Sequence, residues 1–330
     1  LVIDLEAQVI VDINILFQMN ESRAVTDIEA KLNSNSKPPK SHDKIGHCSL
    51  CDKEKSLVRS HIIPQWVFRH DLSDETLSKH VICMSNDPKS NAVTLSPGAV
   101  GEYDPNILCS ECDNKFSAWE QHFKEQIFER IDLFQTCPGK PALPILAYVA
   151  DGFDYQKIKL FFLSMLWKAS ISSHPFFSLV KCDDRCEAEL KTALKDSNAG
   201  DVEYFSVFGQ RYCDTHLTRV PPDSILSPVL VQRNEVYFYK FNFLNFQFLI
   251  KVDERNTPEN LLISCLKPNS EWLIGGLVFI DSLHYKATLD ITKKIRAEYK
   301  DGKSYKALRK LHRFLQDEKN RLEMQKELNG

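Results

Sequence analysis

Apolar residues recur at helical spacing in some stretches of this chain and cluster in short runs elsewhere, and those changes mark its organisation. Within residues 1–32, Ile28 and Leu32 lie one helical turn apart, while Leu16 and Phe17 stand among polar neighbours. This pattern predicts one or two helical segments. Residues 33–46, NSNSKPPKSHDKIG, lose all periodicity and read as a linker by composition. Further on, Phe116, Trp119, Phe123 and Ile127 repeat every three or four positions, which predicts a helix over 113–130 with a core-facing stripe. The breaker-rich stretch TCPGKPALP, 136–144, then closes a unit spanning 47–135.

From residue 155 the pattern turns strongly apolar and predicts a helix over 155–170, followed by a shorter amphipathic one over 184–195. Strands are expected at 202–208, 229–231, 236–243, 246–252, 261–266 and 272–280, all rich in aromatic and branched residues. Leu244–Asn245 marks a hairpin between two of them. Two closing helices, 289–299 and 304–328, are split by Asp301–Gly302, and Leu308, Leu311, Leu315 and Leu322 share one face of the second. The expected class is α+β. A helical segment and linker, 1–46, lead into the compact 47–135 unit, and a larger α+β domain, 136–330, carries an antiparallel sheet and C-terminal helices.

With 330 residues, 43 % of them hydrophobic, the chain has room for one large or two ordinary globular domains. Its most apolar runs, 158–167 and 237–250, are too short to span a bilayer and are interrupted by Lys or Asn. The first residues lack the basic leading region of an export signal, so a cytoplasmic location is expected, with no membrane partner. In that compartment the ten cysteines read as metal ligands or core thiols rather than as a disulfide framework. Net charge is −3, but basic residues outnumber acidic ones between Lys286 and Lys326, so the rest is more acidic than the total implies.

Four cysteines carry the clearest chemistry. Cys48-x-x-Cys51 and Cys109-x-x-Cys112 are matched pairs among turn-forming residues. Each pair can present two thiolates to one ion, and four soft sulfur ligands close a tetrahedral Zn²⁺ shell. Such a site is structural. Cys182 and Cys186 are one helical turn apart with no partner pair, and they read with Cys83, Cys137, Cys213 and Cys265 as core or partly exposed thiols.

Between the knuckles lies Ser60-His61-Ile62-Ile63-Pro64, and around the second runs YDPNILCSECDNKF, residues 103–116. Together these resemble the HNH endonuclease superfamily, whose ββα-metal module is often stapled by two such knuckles. The resemblance implies that His61 is the general base and that Asp113 binds a catalytic Mg²⁺ or Mn²⁺ ion at the helix start. Asn114 is the fallback ligand, and Asn106 resembles the asparagine that braces the loop. The residue types suit phosphodiester hydrolysis. A neutral imidazole can take a proton from water, and a hard cation on carboxylate or amide oxygen stabilises phosphate charge. Asp113 reads equally well as a helix N-cap. One departure from the family pattern is Ser60, where many members place a metal-binding residue. A longer likeness, through SHIIPQWVFR and LWKASISSHPFF, is to uncharacterised bacterial proteins with the same knuckles.

Lys293, Lys294, Arg296, Lys300, Lys303, Lys306, Arg309, Lys310 and Arg313 form a basic run interleaved with Tyr299, Tyr305 and Phe314. The run reads either as a nucleic-acid contact or as a solvated helix face. Glu120 is placed to brace the site or to face solvent, and His174 to cap or pack. The expected function is therefore metal-dependent hydrolysis of DNA, with RNA as the other substrate, by a chain that by analogy serves antiphage defence, alone or with a protein partner. The alternative is a non-catalytic, zinc-scaffolded nucleic-acid-binding or regulatory subunit.

Overall fold

The computed structural model describes residues 45–68, 82–86, 93–97, 101–140, 143–213, 224–269 and 271–278, together with Arg313, Gln316, Asp317 and Asn320, which are helical. The segments expected at 1–32 and 289–299 lie outside these residues, as do most of the 33–46 linker and most of 304–328; Ile45 and Gly46, expected in the linker, instead begin a strand that pairs with 54–56. What is described is α+β, with two sheets and a few helices.

The small sheet holds β1 (Ile45–His47), β2 (Glu54–His61) and β5 (Tyr103–Cys109), antiparallel in the order β1-β2-β5. Helix α1 (Ser110–Phe123) leaves directly from the end of β5, and a π-helical turn, Lys124–Phe128, extends it. The helix thus starts three residues before the expected 113, with Cys109 at the N-cap in extended conformation. Asp113 sits inside the first turn and is not the cap. The knuckle explains the difference, because Cys109 and Cys112 must straddle the strand-to-helix corner for both sulfurs to converge.

The large sheet has nine strands. They are β3 (Ile82–Asn86), β4 (Val93–Pro97), β6 (Gln135–Lys140), β7 (Leu143–Ala150), β8 (Val207–Cys213), β9 (Ser224–Arg233), β10 (Val236–Phe243), β11 (Phe246–Lys251) and β12 (Trp272–Val278). Their order is β4-β3-β9-β10-β11-β8-β12-β7-β6. The sheet is mixed: β3 runs parallel to β9 and β12 parallel to β8, while the other pairs are antiparallel. The hairpin expected at Leu244–Asn245 is present, and both residues have positive φ, as do Asn234 and Glu235 in the hairpin before it. Two-residue turns of that kind match the twist of the strands they join.

Three expectations are corrected. Residues 261–266 are not a strand: Glu259–Leu262 form a one-turn helix, α4, led by Pro258, and Leu261 and Cys265 bury together against Phe208 and Phe238. Apolar residues four apart satisfy a turn of helix as readily as a strand. The stretch 136–144 does not merely close a unit, since it builds the β6–β7 hairpin, with Pro138 at a register shift on the sheet's outer strand. Proline is tolerated at such an edge or bulge. Finally, the strand expected at 202–208 begins only at Val207, because Asp201 turns the chain by accepting the N–H of Tyr204 and Phe205 takes positive φ.

The long apolar helix is α2 (Tyr155–Ile171), buried almost all round, and α3 (Asp184–Asp196) follows as expected. An aromatic ladder explains the burial of α2. Phe123 of α1 stacks on Phe161 at 4.5 Å, and Phe162 meets Phe248 of β11 at 4.7 Å. One continuous core therefore runs from Leu57 and Phe116 through α2 to Trp272.

Two consequences are measurable. At Gly276 of β12 an added Cβ would lie 1.8 Å from the Ile145 carbonyl oxygen of β7, so Gly276→Ala should destabilise by ~3 kcal/mol, read by denaturant unfolding. Asp253, just after β11, accepts from the Arg255 guanidinium and from the N–H groups of Arg255 and Tyr237. The Arg255 side chain foremost, with those N–H groups, holds its carboxyl down to about 2 against burial. A depressed carboxyl stabilises the fold above its ordinary range and loses that contribution as pH falls through its folded value. Asp253→Asn should cost about 1 kcal/mol at neutral pH, and the gap to wild type should close in melts between pH ~4 and ~2.

Candidate functional site

The first knuckle is a tight turn between β1 and β2, closed by Cys48 N–H to Lys53 O and Asp52 N–H to Cys48 O, both 3.0 Å. Asp52 takes positive φ there. The second knuckle begins at Cys109, whose backbone N–H donates to Cys48 Sγ at 3.4 Å. All four sulfurs, of Cys48, Cys51, Cys109 and Cys112, lie within 4.8 Å of one another. Ligands around zinc at about 2.3 Å stand about 3.8 Å apart, so the donor set and spacing fit that ion.

Electrostatics point the same way. Burial opposes ionisation of Cys48, yet the N–H groups of Cys51, Cys109 and Leu50 outweigh it and bring the thiol down to about 7. Burial and the neighbouring sulfurs push Cys112 well up. Thiols crowded this closely cannot all ionise without a cation among them. Among the described residues, no other group of three or more His, Cys, Asp or Glu is gathered for an ion.

His61 is the last residue of β2 and pairs with Tyr103 across the sheet. Its half-buried ring lies 5.7 Å from the Tyr103 ring, and Arg59, exposed on the same strand, stands 5.4 Å over that ring. Gly101 has φ +77°, and a Cβ there would press on Phe68 and, at 3.1 Å, on His61 Cδ2. Only glycine suits that conformation and that proximity.

Behind the strand end, Ser60 is fully buried and its hydroxyl donates to Asp113 Oδ1 at 2.6 Å. Asn114 is exposed on α1. Asn106 is also exposed, and its backbone N–H donates to Asp104 Oδ1. The register between β2 and β5 slips here, from Val58↔Leu108 to Ser60↔Asp104, a bulge carried by Pro105 and Asn106. Bulges re-aim side chains, and this one turns Asp104 inward, 2 % exposed. Its Oδ2 accepts from the Ser172 hydroxyl and from the N–H and hydroxyl of Ser173. Both Asp104 oxygens are thus committed, and one Asp113 oxygen is held by Ser60. The side chains around Asp113 do not by themselves build a site for a divalent ion.

Sequence reasoning missed how closely the end of α2 is docked here. Lys168, 1 % exposed, donates to the His61 carbonyl at 2.5 Å and to Glu120 Oε1 at 3.3 Å. Glu102, beside Tyr103, pairs through Oε2 with His174 Nε2 at 3.1 Å, while its Oε1 is buried without a hydrogen-bond partner. His174 caps the short helix Pro175–Phe177 by accepting the Phe176 N–H on Nδ1. The only signal for any of this lay in polar residues interrupting an apolar run, such as Lys168 within LWKAS.

Phe116, Trp119 and Phe123 are core, and Cys182 and Cys186 are half-buried. Of the basic run, Lys293, Lys294, Arg296, Lys306, Arg309 and Lys310 lie outside the described residues, and Arg313 is exposed on a helix. A cavity of about 660 Å³ opens at the opposite end of α2, around Asp151, Asp154, Tyr155, Asn269 and Glu271, and holds none of the expected site residues. Among the described residues no helix is long and apolar enough to cross a membrane. Comparison with family models, curated proteins and solved structures returned no match to this chain.

Proposed function

We propose that this chain hydrolyses phosphodiester bonds in DNA, with RNA as the second substrate to test, through an HNH-type ββα module on which His61 is the general base. One observation carries the reading. Four sulfurs within 4.8 Å tie the turn before β2 to the corner between β5 and α1, and the strand so fixed ends on a half-exposed imidazole. A neutral His61 nitrogen takes a proton from water as its oxygen bonds to phosphorus, and the leaving P–O bond breaks. Arg59, exposed two positions before His61, is suited to hold a phosphate oxygen.

Zinc at the cysteines supplies folding energy and lies outside the reaction. No step is assigned to Mg²⁺ or Mn²⁺, for which Asp113 offers one remaining oxygen and Asn114 an exposed amide. Both ions belong in the assay, because substrate oxygens can complete a shell that the protein leaves open. Plasmid nicking by wild type and His61→Ala, with each ion, tests the proposal.

A second reading is favoured by the Ser60–Asp113 bond, which places a hydroxyl where a family ligand would stand. The chain would then be a zinc-scaffolded nucleic-acid-binding or regulatory subunit, with the basic run at 293–313 contacting phosphates. Binding of plasmid without nicking under either ion supports it. Native mass measurement addresses a defence complex with a protein partner.

A further inference from the structure

We propose that the buried Lys168–Glu120 pair is a positioning device for His61, fixing the strand end and biasing the imidazole toward its neutral form. The inference builds on the reading of His61 as a base, but its test does not need catalysis. Its starting point is the burial of an ammonium. A lysine withdrawn from water is costly unless paired, and an apolar residue of similar volume would fill the space at no such cost. At this point in α2 the side chain is 1 % exposed and lies 5.5 Å from the Phe116 ring centre, a place where methionine or leucine would pack.

What the ammonium gains is specific. One hydrogen bond goes to the main-chain carbonyl of His61, 107 positions away in sequence, and one to Glu120 of α1. The His61 carbonyl closes β2, so holding it fixes the peptide plane from which the imidazole departs. The flanking residues are pinned as well, Ser60 by Asp113 and Ile62 by its N–H to the Glu102 carbonyl. The clamp therefore acts on the backbone between two anchored neighbours, where the imidazole is attached.

Charge adds a second effect. A cation bound to the carbonyl of His61 disfavours protonation of the imidazole on the same residue, and an anion nearby favours it. Other charged or titratable groups around His61 include Arg59 on its own strand, Tyr103 opposite, and the Glu102–His174 pair just before β5. None of these changes when Lys168 or Glu120 is replaced, so the two substitutions isolate the pair.

The test is the imidazole titration of His61 by NMR, its signal identified by loss in His61→Gln. Lys168→Met removes the cation and should move the midpoint up, by up to about one pH unit. Glu120→Gln leaves the cation unopposed and should move it down by a similar amount. Opposite signs are the signature of electrostatic positioning, which loosened packing alone does not produce. Midpoints that stay in place, or that move the same way in both variants, overturn the proposal. Should Lys168→Met fail to fold, the Glu120→Gln arm decides alone: a downward shift supports the device, and any other result removes it. Loss of the nuclease reading would leave these titrations unaffected, so the two failures are distinguishable.

Discussion

Stripping the metal from the purified protein is expected to lower its melting temperature sharply and to release about one zinc per chain. Four thiols within 4.8 Å of one another could hold one such ion, and binding at four-cysteine zinc sites contributes on the order of 10 kcal/mol to folding. The loss should not stay local. Leu57, Ile107 and Phe116 belong to the same continuous core as α2 and Trp272, so unravelling the small sheet exposes the apolar faces of the large one. Cys112→Ser should reproduce the effect without a chelator. Acidification should do so as well, because the sulfurs must be deprotonated to hold the ion and protons compete for them. Metal analysis alongside thermal melts reads all three. A metal-free protein that melts where the loaded one does would show that these cysteines are not a folding site.

The second large effect is on cleavage. His61→Ala is expected to reduce plasmid nicking by roughly 10²–10⁴-fold, the usual worth of a general base, while zinc content stays unchanged. The melting temperature should fall only modestly, because the ring is half-buried and lies beside Tyr103 and Gly101 at the edge of the small sheet. The ratio of the two effects is the informative quantity. Nicking that persists in the variant would remove His61 from the mechanism. A melt that falls as far as in Cys112→Ser would make the residue structural.

How much of this could be read from the chain depends on how local each determinant is. The cysteine pairs were legible because Cys-x-x-Cys declares a turn within four residues, and the two turns needed only to meet. Helices α2 and α3 and the Leu244–Asn245 hairpin were legible for the same reason, since periodicity and turn chemistry are written in consecutive positions. Long-range partnerships were not. Nothing near Asp104 in sequence foretells Ser172 and Ser173, and nothing near Lys168 foretells Glu120 or the His61 carbonyl. Polar residues around the site thus hid their roles, while the sulfurs revealed theirs. Segment 261–266 failed for another reason, because Leu261 and Cys265 fit either period and Pro258 tips the balance to a turn of helix.

The pairing of β3 with β9 carries a practical corollary. Strands β3 and β4 leave from between the two knuckles, yet they form one end of the nine-stranded sheet, whose partner strand arrives more than a hundred residues later. A fragment trimmed to 47–135 would keep every sulfur and His61 but strand this hairpin with its bonding edge bare, an invitation to aggregate. The four-cysteine half is therefore not portable. Grafting it onto another scaffold, or expressing it by itself, calls for the sheet that its own inserted ribbon completes.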